Sequence, residues 1–258
     1  MKSLTCIWAI AANTVRESIR NKILYALLFF AILMIGAGVV LGSLSYVESQ
    51  RILQDVGLGA IRLFGVAIAI FVGIHLIHRE VDRRTIYTIL SKPISRAEFL
   101  VGKYVGLTLT IWMQMAIMIA AFAGVSLLTG APLAWQHGAF FLLAGAELAL
   151  VVAIATFFSS FTTPLLAAFF TTGTWVIGHL TRDLRDIGAR SDSQAMETIT
   201  TLAHRVFPDL AGLNLASEAA HLLPITREDI TLPLVYATGY VTVVLIAAVF
   251  LFERRDFR

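Results

Sequence analysis

Charge is scarce in this sequence. Asp, Glu, Lys and Arg make up only 14% of its 258 residues, against about a quarter in a soluble domain. With 58% hydrophobic residues, that shortage argues against a soluble domain and predicts an integral membrane protein. Cysteine is nearly missing. Cys6 stands alone, which excludes an internal disulfide and a cysteine-rich zinc site; beside Ile7 and Trp8 it reads as a small apolar side chain. None of the six histidines forms an H-x-x-x-H pair. His75 and His78 could share a face, but the pair joins no cysteine cluster, and no metal site is expected. No H-E-x-x-H and no G-x-S-x-G occurs, which removes support for a membrane protease or esterase. The phosphate-cradling G-x-x-x-x-G-K-[ST] loop is missing too. The one Gly-Lys pair, Gly102–Lys103, has Ala97 in place of the first glycine and Tyr104 in place of the hydroxyl. The chain is therefore expected to bind no nucleotide and to be no enzyme.

What the sequence does have is long apolar runs. A helix needs about 20 mostly apolar residues to cross the hydrocarbon core, and residues 23–44, 61–77, 105–129, 138–158, 165–180 and 233–252 are read as six spans. The first is too long for a signal core and has no clean cleavage site, so it is read as retained. Lipid forces helices, because unpaired backbone groups are costly there, and the expected fold is all-α, a single transmembrane domain over 1–258. The side holding both termini and residues 78–104 carries thirteen Lys and Arg against six acids, net +7. The other side carries seven Arg, Arg51 and Arg62 among them, against ten acids, net −3, and Glu147 lies within a span. The positive-inside rule then makes both termini cytoplasmic. Basic residues that hug membrane edges give no reason to expect nucleic acid.

Outside the spans, residues 2–22 read as an amphipathic helix. Ile7, Ala11, Thr14, Val15 and Ile19 recur at helical spacing while Asn13, Arg16, Glu17 and Arg20 face elsewhere. Such a helix suits the membrane interface, or simply anchors the positive side. Residues 181–232 form the one sizeable loop on the other side. Ser191 with Gln194 resembles a capping box, Met196, Ile199, Ala203 and Val206 mark a helical face stopped by Pro208, and 215–223 reads as a second short helix. Thr226 and Asp229 are read as the start of the lead-in to the last span.

Charge concentrates in one stretch, 78–104, between the second and third spans. Residues 79–91 can form a helix with Val81, Thr85, Ile86, Ile89 and Leu90 on its apolar side and Arg79, Arg83 and Arg84 elsewhere. Pro93 ends it. Ser95 and Glu98 have the spacing of a capping box, and Ile94 and Phe99 that of a hydrophobic staple. The pattern specifies helix, corner, and a new helix running into the third span: a lever on which a soluble partner can push, with a merely solvated loop as the alternative.

The same residues carry a resemblance. REVDRRTIYTILSKPISRAEFLVGKY resembles the cytoplasmic stretch of permease subunits of ABC transporters, type-2 export branch. The matching residues are Glu80, Arg84, Thr85, Ile86, Leu90, Ser91, Pro93, Ile94, Ser95, Arg96, Gly102 and Lys103, with Arg84 where the family usually has glycine. The C-terminal FLFERRDFR is similar to permeases associated with multicopper-enzyme maturation. The resemblance implies a bacterial or archaeal inner-membrane protein, working as a homodimer or with a paralogous permease, and paired with two cytosolic ATPase subunits that hold the ATP and Mg. Residues 79–91 would be the coupling helix docking on the ATPase, through Arg79, Glu80, Arg83, Arg84, Thr85, Leu90, Ser91, Pro93, Ser95, Arg96 and Glu98; residues 2–22 would be the connecting helix. It also implies that the second and fifth spans line the central pathway.

Several polar residues lie inside spans. Glu147 is near the middle of the fourth, where a carboxylate is costly and faces the bundle interior. It reads as a gate, substrate contact or proton-linked group, or as a structural hydrogen bond, with Gln114 of the third span its candidate partner. Thr171, Thr172, Thr174 and Trp175 form a polar and aromatic stripe on the fifth span, a substrate surface or self-bonded packing. Gly38/Gly42 and Gly65/Ala69/Gly73 have small-x-x-x-small spacing for close helix packing. Two other functions stay open: a secondary transporter or channel using Glu147, and an ATPase-linked membrane scaffold that moves no substrate.

Overall fold

The computed structural model describes residues 2–45, 48–82, 95–131, 133–189 and 206–254, with 196, 198 and 200–202; side chains are described from residue 4 and, around the longer gaps, only up to 75 and 187. No strand occurs among the described residues. The helices are α1 (Lys2–Ile19), α2 (Lys22–Ser43), α3 (Ser49–Asp82), α4 (Arg96–Leu128), α5 (Trp135–Phe161), α6 (Pro164–Ala189), the five-residue α7 (Ala216–Ala220) and α8 (Glu228–Arg254), with a 3-10 turn at Ala211–Leu213.

Five of these, α2, α3 through His75, α4, α5 and α8, are long and apolar enough to cross a membrane. This is the multi-pass membrane architecture that the composition predicts. The expected fifth span, residues 165–180, lies in α6, which falls short of that measure. Its four threonines and the charged run Arg182, Asp183, Arg185 and Asp186 dilute its apolar content. The second span differs in extent. The expected span starts at Ile61, and Gln50, Arg51, Gln54 and Asp55 interrupt the apolar pattern before it, yet α3 is continuous from Ser49. Arg62 therefore does not belong to an outer loop; it sits in the middle of a membrane-crossing helix.

The central helix is α5, which is buried along most of its length and packs against α3, α4, α6 and α8. On α2 the buried residues Leu24, Ala31, Ile35, Gly38 and Gly42 form one stripe at helical spacing, and the outward side chains Phe29, Phe30, Leu33 and Val40 are those a lipid-facing helix presents. The small-residue motifs seat neighbouring helices. A Cβ at Gly42 would come within 2.7 Å of the Ser49 carbonyl oxygen, and one at Gly65 within 3.1 Å of Leu148, so larger residues would drive α3 away from α2 and from α5.

The chain between α6 and α8 folds back onto the bundle. The Leu210 amide donates to the Gly178 carbonyl at 3.1 Å, and the Arg182 Nε lies 2.9 Å from Asp209 Oδ2. The Tyr236 hydroxyl accepts from the Asp209 amide at 3.0 Å. The second short helix, expected over 215–223, is α7. The Ser191–Gln194 box lies outside the described residues, as do Ile199 and Ala203 of the expected helical face. Before α8, Asp229 accepts from both the amide (2.8 Å) and the hydroxyl (2.6 Å) of Thr226, as a helix start requires.

Candidate functional site

Two places bring together the residues singled out above. The first is in the middle of the bundle. Glu147 is 1% exposed at the centre of α5, and three side chains from two other helices surround its carboxylate. Arg62 of α3 donates from Nε to Oε2 at 3.0 Å. Trp175 of α6 donates from Nε1 to Oε1 at 2.9 Å. His179, one turn along α6, places Nε2 3.4 Å from Oε1. His179 Nδ1 lies 2.9 Å from the Trp175 carbonyl oxygen, which can only accept, so Nδ1 carries the proton. Nε2 is then left to accept, and Arg62 Nη2 contacts it. The Trp175 and His179 rings also pack together, centroids 4.9 Å apart. Every group in the set has a partner, and α3, α5 and α6 are tied at one point.

The physical reason is the cost of charge in hydrocarbon. An unpaired carboxylate or guanidinium there is expensive, and pairing with hydrogen bonds to the remaining lone pairs makes both tolerable. The sequence points to Glu147 and Trp175, but the partners of Glu147 are Arg62 and Trp175 rather than Gln114. Gln114 is buried on α4 with its Oε1 unbonded among the described residues, and it does not join the cluster. Arg62 was missed because it looked like a flank residue, and His179 because its place four residues after Trp175 was not read as a shared face. Two opposite charges in otherwise apolar runs were the available signal. Of the threonines, Thr171 is buried and donates to its own helix at the Ala167 carbonyl, 2.7 Å, while Thr172 is exposed. Among the described residues no group of His, Cys, Asp or Glu could hold a metal ion.

The second place is the start of α4. Ser95 accepts from the Glu98 amide at 3.1 Å, and Glu98 Oε2 accepts from the Ser95 amide at 3.0 Å, completing the capping box. Arg96 donates from Nη1 to the Glu253 carbonyl at 3.0 Å and to the Phe252 carbonyl at 3.4 Å, satisfying two of the carbonyls left free at the end of α8. Phe99 stacks on Phe252, centroids 6.2 Å apart.

On another side α1 lies against α4 in a seat made by two glycines. A Cβ at Gly102 would come within 2.8 Å of Ile10 Cβ, and one at Gly106 within 2.6 Å of Thr14 Cβ and 2.7 Å of the Ala11 carbonyl oxygen. Between them Lys103 is 1% exposed, its Nζ 3.5 Å from Glu17 Oε2. The buried face of α1 is Ala11, Thr14 and Ser18, while Leu4 and Trp8 are exposed. Of the expected face, Ala11 and Thr14 are buried, whereas Ile19 is exposed. The first turn of α4 is thus held by both α1 and α8.

The stretch meant to drive this junction is described only in part. Residues 79–82, expected to open a separate helix, are the last turn of α3. Arg83, Arg84, Thr85, Leu90, Ser91, Pro93 and Ile94 lie outside the described residues.

Comparison with known families decides what these features belong to. The family described as "ABC-2 family transporter protein" matches residues 8–182, more than half of the chain. The chain belongs to the ABC-2 transporter family. The match covers α1 through most of α6, and so includes both the Glu147 cluster and the α1–α4 seat. No curated protein matches the chain. Membership makes it a multi-pass membrane protein of a transport system, the kind of chain the REVDRRTIYTILSKPISRAEFLVGKY stretch resembles.

Proposed function

We propose that this chain is the transmembrane subunit of an ATP-driven exporter, energised by a separate cytosolic ATPase that holds the ATP and Mg. In this reading two copies, or one copy with a paralogous permease, build the pathway, with both termini on the cytoplasmic side of a bacterial or archaeal inner membrane. Six spans per copy then include α6.

The observation that carries the proposal is the start of α4. By the resemblance, the ATPase-docking position would fall on the stretch just before it, and that start is capped by Ser95–Glu98, bonded by Arg96 to the end of α8 and seated against α1. A push on the coupling segment, through Arg79, Glu80, Arg83, Arg84 and their neighbours to Pro93, would move three helices together. At mid-membrane α3 and α6 would line the path. The Arg62–Glu147–His179 set would act as the tie that α3, α5 and α6 break or remake as the path changes access, with Thr172 and Trp175 closest to the substrate. A carboxylate already paired with Arg62 and Trp175 is poorly placed for ion coupling, which argues against a secondary transporter using Glu147.

Co-expression with a candidate ABC ATPase, sought first in the gene neighbourhood, tests the reading. The expected result is a complex that survives purification and whose ATP turnover depends on this chain. Absence of any complex overturns it. A complex with ATP turnover but no transported species would instead favour the scaffold.

A further inference from the structure

A cleft of about 610 Å³ runs between α4, α5 and α8, on surfaces that neither the charge cluster nor the α4 junction uses. Its walls are apolar: Leu109 and Met115 from α4, Phe141 and Leu142 from α5, Leu234 and Val241 from α8. Three of its polar side chains already donate to backbone carbonyls. The Tyr104 hydroxyl donates to the Ala149 carbonyl at 3.4 Å, the Trp112 indole N–H to the Gly145 carbonyl at 2.9 Å, and the Thr238 hydroxyl to the Leu234 carbonyl at 2.8 Å. The Thr108 hydroxyl is fully buried and offers no surface to the cleft. A ligand that needs hydrogen bonds would find little to bind here, and the apolar walls suit a hydrocarbon.

Position and size narrow it further. All three helices are of membrane-crossing length and composition, and the cleft opens on the outside of the bundle, where Trp112 and Leu142 are exposed. From Tyr104 to Met115 is eleven residues, about 16 Å at the helical rise, or about half the thickness of the hydrocarbon core. That is the reach of one leaflet's chain. The cleft exists because α4 and α8 are joined at the Arg96–Glu253 end and part further along, over a floor of small residues, Gly145, Ala146 and Ala149.

We propose that this cleft is a binding site for one acyl chain of a membrane lipid, held on three sides as a wedge between α4 and α8. The test is reconstitution into phosphatidylcholine vesicles whose acyl chains carry a mid-chain diazirine, followed by photolysis and peptide mapping. Labelling should concentrate on Leu109, Leu142 and Val241 over Phe29, Leu33 and Val243, although those three are exposed and Leu109 and Val241 only half-exposed. Ala146→Leu/Ala149→Leu, which fills the floor, should abolish the cleft label and keep the label on α2, which also reports correct insertion. Leu142→Trp at the exposed rim is the second variant should the first not insert, with the same loss expected. Uniform labelling of exposed apolar residues, or a cleft label indifferent to these fillings, overturns the proposal. So does an unlabelled cleft in which a photo-crosslinking residue placed at Leu142 joins one copy to another, which would assign it to a second copy of this chain. None of these outcomes depends on an ATPase.

Discussion

Replacing Glu147 by Gln changes one oxygen for one NH₂ and removes one charge, yet the geometry makes it costly. Glu147 is 1% exposed and its partner Arg62 15%, so neither is rescued by water. With the carboxylate gone, the Arg62 guanidinium is left buried without a counter-charge, and whichever way the new amide turns, its NH₂ faces Arg62 Nε or Trp175 Nε1, a donor against a donor. Breaking a buried pair from one side costs about 3–5 kcal/mol. At about 2–4 °C per kcal/mol for a chain of this size, that is a fall of about 6–20 °C in unfolding midpoint. Thermal unfolding in detergent, followed by loss of monodisperse protein, reads it. Arg62→Met should cost a similar amount, because it strands the carboxylate instead. The double variant Arg62→Met/Glu147→Gln should be less damaging than the sum of the two, since no unpaired charge remains. A Glu147→Gln midpoint equal to wild type, or strict additivity, would refute the pairing and with it the tie between α3 and α5.

The remaining predictions concern the helix junctions. Gly106→Leu should lift α1 off α4, because its side chain begins 2.6 Å from Thr14 Cβ; proteolysis within residues 2–22 should become faster while Gly124→Leu, which meets nothing, leaves it unchanged. Arg96→Ala removes two charge-assisted bonds to the end of α8 and should cost about 1.5–3 kcal/mol per bond at most, read as faster amide exchange in the last turn of α8. Gly178→Leu should undock the segment that follows Pro208, whose carbonyl oxygen lies 2.7 Å from the added Cβ; a cysteine placed at Leu210, 0% exposed, would then react with a water-soluble maleimide that it resists in the parent.

How much of this was legible in the sequence follows the range of each interaction. The Ser95–Glu98 box is three residues long, and its two hydrogen bonds are as the spacing demands. Gly38 and Gly42 were readable as a packing surface because helical spacing alone puts them on one face, though not that α3 would fill it. Glu147 announced itself by its cost. Its partners did not, since Arg62 is 85 residues away and His179 is 32 away, and only the fold brings them together. Arg62 was also hidden by the polar first turns of α3. There Gln54 is buried, and a run of hydropathy sees only a loop. Lys103 shows the same limit. It was visible as part of a motif, whereas its burial under α1 against Glu17 depends on the two glycines beside it accepting another helix.

The central claim is that a separate ATPase drives this chain through the segment before α4. The direct measurement is the ATP turnover of the partner ATPase in proteoliposomes, with this chain, without it, and with Arg83→Glu/Arg84→Glu. The account predicts that turnover depends on this chain and that the charge reversal weakens both the association and the turnover. An ATPase that turns over at the same rate in all three, and that binds the charge-reversed chain as well as the parent, would contradict it.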